Sequence, residues 1–478
     1  MANTIKKLTQ ETLIYGVGNV ITRLVTFLLL PLLTNLLSPK EYGQIALIYV
    51  FLGFMNIIYH YGLDAAFMRY YSSLESNDDK KPLFSTSLWL GVLTSTFLSI
   101  FLIFSAPQIS SFLLGEIIYA HLFRFCAIIL FLDSISHVPF ALLRLQGRAS
   151  YFVLIKLFNV LITLLCNIYF VVFKDCGLDG VFISVTIASA FTTFSVLFAS
   201  LKNIRFKFQN KIVKSLLRFG LPFLPAGLSS IAMESLDRYL LSILINADTV
   251  GIYSVGYKLG IFMLLVTTAF QYAWQPFFLS SGNQPESKEL FAKIFNYFMV
   301  VTAFVWLLIT LFLPEIINFK IGEFWLIGPE FHEAQTIVPI ILMAYLFQGA
   351  YLNFLPGIYF KEKTYYIPII IGLGALVNLV INLILIPVYG IFGAAFATLI
   401  GHGTIAIITF FISRKMFSVP YDWLKILWLI TSLFLALLLV YFLNFTVTGR
   451  VLGIIVFGLG IIIFRVVSIQ EIKSLLIK

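Results

Sequence analysis

The residues most able to do chemistry sit where chemistry is expensive. The stretch Leu216–Asn246 follows a basic segment, contains Pro222 and Pro225, then runs apolar to Ile245 with Glu234, Asp237 and Arg238 inside it. A charge at bilayer depth costs about 2.5–3.5 kcal/mol on insertion scales, so three within five positions need a reason. Glu234 and Arg238 are spaced i,i+4 and are predicted to share a helix face and pair. That face either locks a helix contact or lines a water-filled path. Arg23 lies about twelve residues into the first apolar run, roughly 18 Å along a helix, too deep to reach a surface easily. It stays charged and can grip an oxyanion with two parallel hydrogen bonds, or it can pair with a carboxylate of another helix. Lys258 is placed to take an anion or to pair with Glu234 or Asp237. Arg124 lies close enough to an outer surface to snorkel. Asp64 and Arg69 suit an interfacial salt bridge, with Arg69 also able to meet an incoming anion. Asp133 and His137, four apart, form either a proton relay or a structural pair. Glu11, Glu234, Asp237 and Asp64 are further carboxylates for a coupling ion. The amides Asn19, Asn159, Asn378, Asn382, Gln271 and Gln275 could bond ligand hydroxyls or bind helix to helix.

What must position these groups is a membrane. Of 478 residues, 60% are hydrophobic and 11% charged, and the mean hydropathy is +0.98. A soluble chain of this length cannot hide that much apolar surface, so its solvent is lipid. The apolar runs are continuous rather than alternating, which selects helices over a barrel. Seventeen per cent aromatics, including 50 Phe, suit lipid-facing and interfacial positions. Cys126, Cys166 and Cys176 show neither metal-ligand spacing nor a disulfide framework. No metal site, catalytic set or phosphate-cradling loop is found. Lys6 and Lys7 precede the first run and read as the anchor of an uncleaved first helix.

Runs of about 20 residues give fourteen spans, near 12–37, 42–65, 83–105, 117–140, 151–173, 178–200, 219–245, 249–279, 291–313, 336–360, 365–386, 391–413, 424–443 and 447–467. With the N-terminus in the cytoplasm, inside segments carry 23 Lys and Arg and outside segments four, Lys40, Lys174, Lys320 and Arg450. That bias follows the positive-inside rule and puts both termini in the cytoplasm. The net charge of +10 therefore reports topology and attraction to an anionic leaflet, not nucleic-acid binding. The longest outside segment, Pro314–Gln335, is acidic and too small for a catalytic domain. Pro222, Pro225, Pro276, Pro356 and Pro368 mark expected bends.

Six cations in Leu201–Arg218 mark a boundary, and an internal repeat supports it. Laying Tyr42–Ser73 on Val250–Ser281 puts Gly43 on Gly251, Tyr49 on Tyr257, Phe54-Met55 on Phe262-Met263 and Ser72-Ser73 on Ser280-Ser281. Gly180-Val181-Phe182 likewise matches Gly390-Ile391-Phe392. The expected organisation is all-α integral membrane: a six-helix bundle over 1–201, a basic linker over 202–218, a second six-helix bundle over 219–415, and two further helices over 416–478. The bundles are expected to be parallel repeats related by a pseudo-two-fold axis along the membrane normal, with a substrate site between them near the midplane.

Certain motifs carry a family resemblance. Asn19–Tyr49, with Pro31, Leu36-Leu37-Ser38-Pro39 and Glu41-Tyr42-Gly43, resembles the opening of the polysaccharide flippases. Ser235-Leu236-Asp237-Arg238-Tyr239 and Gly251-Ile252-Tyr253-Ser254-Val255 do so as well. With six, six and two spans, the chain resembles the Wzx-type branch of the multidrug/oligosaccharidyl-lipid/polysaccharide exporter superfamily. The resemblance implies a bacterial inner-membrane transporter, not an enzyme, that moves undecaprenyl-diphosphate-linked oligosaccharide from the cytoplasmic to the outer leaflet. Candidate cargo contacts are then Arg23, Lys258, Arg69, Arg124, Arg238, Asn19, Gln271, Gln275 and Asn378. Coupling-ion candidates, for H+ or Na+, are Glu234, Asp237, Asp133, His137 and Asp64. No cofactor is expected; a monomer is, alongside membrane lipids and the pathway's polymerase and chain-length regulator. Two alternatives remain: a cation-coupled drug or metabolite antiporter of the same superfamily, which calls for an acidic chamber, and a membrane polymerase or glycosyltransferase, which usually needs a larger loop.

Overall fold

A computed structural model describes residues 16, 18, 20–282 and 285–466; the candidates Glu11 and Asn19 lie outside them. The helices are α1 (Val20–Leu36), α2 (Pro39–His60), α3 (Leu63–Ser73), α4 (Asn77–Leu114), α5 (Ala120–Leu145), α6 (Ala149–Asn167), α7 (Gly177–Ser200), α8 (Asn210–Gly220) and α9 (Phe223–Leu244). There follow α10 (Ala247–Leu259), α11 (Ile261–Ser281), α12 (Pro285–Ile317), α13 (Val338–Phe354), α14 (Pro356–Phe360), α15 (Tyr366–Tyr389), α16 (Ile391–Met416), α17 (Trp423–Phe442) and α18 (Val447–Ile463). Among the described residues, ten helical segments are long and apolar enough to cross a membrane, two bent pairs (α8–α9 and α10–α11) pass the same test together, and α1 and α18 are shorter apolar helices. These account for the fourteen spans read from hydropathy.

Local chemistry explains several boundaries. Ser38 caps α2: its side chain accepts from the Glu41 amide while the Glu41 carboxylate accepts from the Ser38 amide, and Pro39 opens the helix. This reciprocal cap satisfies two donors that would otherwise be stranded. Replacing Ser38 with alanine is expected to lower stability by about 0.5–2 kcal/mol, read as a drop in thermal midpoint. Tyr61 and Gly62 take left-handed conformations (φ 33° and 71°), and there the second span breaks into α2 and α3. The α8–α9 pair bends by 42° across Pro222, as expected of that proline. The α10–α11 pair bends by 45° at Gly260; Pro276 sits inside the continuous α11, so the eighth span breaks at a residue the sequence did not single out. Buried hydroxyls bond their own helix, as in Thr34 to the Leu30 carbonyl and Ser184 to the Gly180 carbonyl, because lipid offers no other partner.

The described residues form two compact units, one reaching up to residue 255 and including 320–333 and 382–394, the other made of those in 256–319, 334–381 and from 395 on. In the first, α4 packs on α5, α5 and α6 pack on α7, α9 lies along α2, and α8 lies along α3. The basic linker is largely this α8: Leu216 is buried while Lys211, Lys214 and Arg218 are exposed. Tyr70 donates to the Ser215 carbonyl (3.4 Å) and the Arg69 guanidinium lies 5.0 Å over the Phe219 ring. At the other end of α2 the chain crosses α10 without room for a side chain. A Cβ on Gly43 would lie 1.9 Å from the Ala247 carbonyl, and one on Gly251 2.0 Å from that of Pro39. The segment after α12 forms a two-residue-strand hairpin (Lys320–Ile321 with Phe324–Trp325), fastened to the end of α1. Asn35 donates to the Trp325 carbonyl (2.7 Å) and accepts its amide (3.1 Å), and the Gly328 amide donates to Thr34 (3.1 Å).

In the second unit, α17 and α18 pack on each other and on α12 through Leu307, Leu429, Ala436 and Phe457, and Arg450 pairs with Glu315. A separate aromatic core gathers Trp274, Phe278, Phe291 and Phe417.

Candidate functional site

The charged stretch that opened the sequence lies on α9. Asp237 is 1% exposed; it accepts from the Tyr253 hydroxyl of α10 (2.5 Å) and from Arg238 Nη1 (3.2 Å). Arg238 Nη1 also donates to the Glu234 backbone carbonyl (2.6 Å). Arg238 thus donates to the adjacent Asp237 carboxylate, which also accepts from Tyr253, while its charge acts on the Glu234 carboxyl one turn away. Glu234 is exposed on the surface of α9, with Arg238 and Arg23 in electrostatic reach. Arg23 is half-buried, and among the described residues no carboxylate closes an ion pair on it. Of the two readings drawn from the sequence, the Asp237–Arg238 contact matches the helix lock, and Arg23 lies in electrostatic reach of Glu234.

A second cluster gathers from α2, α3, α5 and α6. His60 Nε2 lies 3.5 Å from Asp64 Oδ1, and Arg144 Nη2 lies 3.4 Å from Asp64 Oδ2. The Asp64–Arg69 salt bridge is thus corrected: Arg144 is the partner, and Arg69, exposed, stacks on Phe219 instead. The rings of His60 and His137 meet edge to face with centroids 3.8 Å apart. Asp133 and His137 do not bond each other. Asp133 bonds Ser189 of α7 and lies in reach of Lys156, whose ammonium sits 4.6 Å over the Phe140 ring. His60 and Lys156 were missed from the sequence; the i,i+4 spacing of His60 and Asp64 was a signal for the first, whereas Lys156 meets Asp133 only through tertiary packing.

The remaining candidates scatter. Arg124 is exposed in the second turn of α5, as snorkelling requires, and Lys258 is exposed in the last turn of α10. Gln271 and Gln275 are exposed on one face of α11. Asn378 and Asn382 are fully buried, the placement expected of amides that bind helix to helix. Asn159 donates to Thr192 (2.8 Å) and binds α6 to α7. Among the described residues no group of His, Cys, Asp and Glu is arranged to hold a metal.

Residues 32–327 match the polysaccharide biosynthesis protein family. The chain belongs to that family. The match covers the Ser38 cap, the Gly43–Gly251 crossing and the Asp237–Tyr253 bond, so the motifs that carried the Wzx-type resemblance are the contacts joining α2, α9 and α10. Among family-scale relatives, the uncharacterized membrane protein MJ1068 of Methanocaldococcus jannaschii is 23% identical over 95% of both chains. The fold is that of a lipid II flippase MurJ in an inward closed conformation (TM-score 0.78, 16% identity, 98% of this chain and 100% of that one). It is shared with an inward-facing multidrug resistance MATE family transporter of the MOP superfamily (TM-score 0.67, 14% identity, 84% and 94%). This family member thus has the all-helical exporter fold that the sequence led one to expect.

Proposed function

We propose that the protein flips an oligosaccharide carried on undecaprenyl diphosphate from the cytoplasmic to the outer leaflet of a bacterial inner membrane. It works by alternating access, coupled to an ion gradient, as a monomer with both termini in the cytoplasm, and it supplies the polymerase and chain-length regulator of the same pathway. The observation that supports this reading is Arg23: an arginine deep in the first apolar run by sequence, half-buried, with no carboxylate within ion-pair distance among the described residues and with the exposed Glu234 in electrostatic reach. Evolving chains tolerate such a charge when an anion visits it, and a guanidinium binds a diphosphate through paired hydrogen bonds. The prenyl tail stays in lipid, so only the headgroup needs a polar route.

The test is complementation of a strain lacking a known flippase. Arg23→Ala is expected to cut delivery of lipid-linked glycan to the outer leaflet at least about tenfold, with Arg23→Lys intermediate because a lysine lacks the planar fork. Delivery undiminished by Arg23→Ala overturns the assignment. The antiporter reading gains from one observation, the exposed Glu234; export of a cationic dye that fails in Glu234→Gln but persists in Arg23→Ala would establish it instead.

A further inference from the structure

The Asp133–His137 motif is the part of the sequence that the diphosphate route does not absorb, and its surroundings have a chemistry of their own. Six ionisable groups from four helices meet: His60, Asp64, Arg144, His137, Lys156 and Asp133. The formal charges of the two carboxylates and two cations cancel, leaving two imidazoles to decide the net charge. His60 presents Nε2 to Asp64 Oδ1, while its buried Nδ1 has no hydrogen-bond partner. The ring is therefore one proton short of a closed ion pair with Asp64. Its other neighbour is the His137 ring, 3.8 Å away, and like charges at that separation oppose each other.

We propose that His60 and His137 form a single-proton binding site, with Asp64 as the counter-ion that holds the bound proton. This rests on the transporter reading above only in the use made of the proton, as the ion whose gradient drives the cycle. The proton adds to an imidazole nitrogen lone pair and leaves from it, so no other bond forms or breaks. The groups facing the two rings are Asp64, Arg144 and Lys156; Asp133 faces them through Lys156. That set selects a proton over a sodium ion. A metal cation needs several free oxygen ligands, whereas here Arg144 already pairs with Asp64, Lys156 lies in reach of Asp133, and both repel a further cation. A proton needs one lone pair. Because only one ring is charged at a time, the site alternates between neutral and singly positive, with α2 and α5 each holding one of the rings.

The experiment uses the full-length protein in liposomes, labelled with 15N-histidine, with ring signals followed between about pH 4 and 9. His60 and His137 are expected to titrate as a coupled pair, a protonation of one suppressing that of the other. Asp64→Asn removes the counter-ion and is expected to move the transition to lower pH by at least about tenfold in proton concentration. His60→Gln should leave His137 titrating as an independent group; if that variant does not fold, Asp64→Asn alone decides. Two independent titrations with midpoints unmoved in Asp64→Asn, or no titration of either ring, overturn the inference. No cargo is present in this measurement, so its failure leaves the flippase reading standing, while loss of the Arg23 phenotype leaves the proton site standing.

Discussion

Alanine at Gly43 is expected to cripple the protein, although the change adds one methyl group. That methyl would lie 1.9 Å from the Ala247 carbonyl oxygen, and the obstacle is backbone, which cannot rotate aside as a side chain would. Overpacking typically costs about 1–3 kcal/mol, and here α2 and α10 must move apart bodily. The crossing is reciprocal. Gly251 meets Pro39 as Gly43 meets Ala247, and in the register of the internal repeat Gly43 falls on Gly251 and Pro39 on Ala247. Two repeat-equivalent segments therefore touch each other at equivalent points, the hallmark of a local two-fold axis. Gly251→Ala should lower the thermal midpoint and the folded yield as Gly43→Ala does. The double variant should fall short of the sum, since one separation relieves both clashes. Two single variants as stable as the parent protein would show that no such crossing exists.

Removing the Asp237 carboxylate is expected to cost still more. Asp237→Ala takes from Arg238, whose side chain is 13% exposed, a carboxylate it donates to, and takes from the Tyr253 hydroxyl the acceptor at 2.5 Å. Breaking a buried pair from one side costs about 3–5 kcal/mol. Tyr253→Phe removes only the hydroxyl's bond to Asp237 (2.5 Å) and is expected to cost about 1–3 kcal/mol. The order of thermal midpoints should be parent, Tyr253→Phe, Asp237→Ala. An Asp237→Ala variant that melts no lower than Tyr253→Phe would show that the carboxylate does not hold α9 to α10.

The fold was legible because lipid imposes one rule on every span: apolar for about 20 residues, helical, and punctuated by charge. The same rule hides partners. Glu234 and Arg238 are well spaced for each other on a helix, yet Arg238 donates to Asp237, which also accepts from Tyr253 on the next helix. Asp64 had Arg69 five residues away and took Arg144 from α5. Spacing describes one helix, whereas a buried charge is satisfied by whichever helix arrives with the right group. The break at Gly260 was missed for a related reason: a glycine bends a helix only when packing demands it, whereas Pro222 bends it from within. What the motifs did reveal is where α2, α9 and α10 meet, because caps, glycine crossings and buried ion pairs constrain residue type more tightly than a lipid-facing wall does.

The hairpin fastened to α1 has one more implication. Asn35 imitates a neighbouring strand, giving and accepting one bond with Trp325, and Thr34 adds a third to Gly328. Undoing this clasp melts no helix. At about 0.5–1.5 kcal/mol for each bond, its release costs less than a micromolar ligand returns on binding.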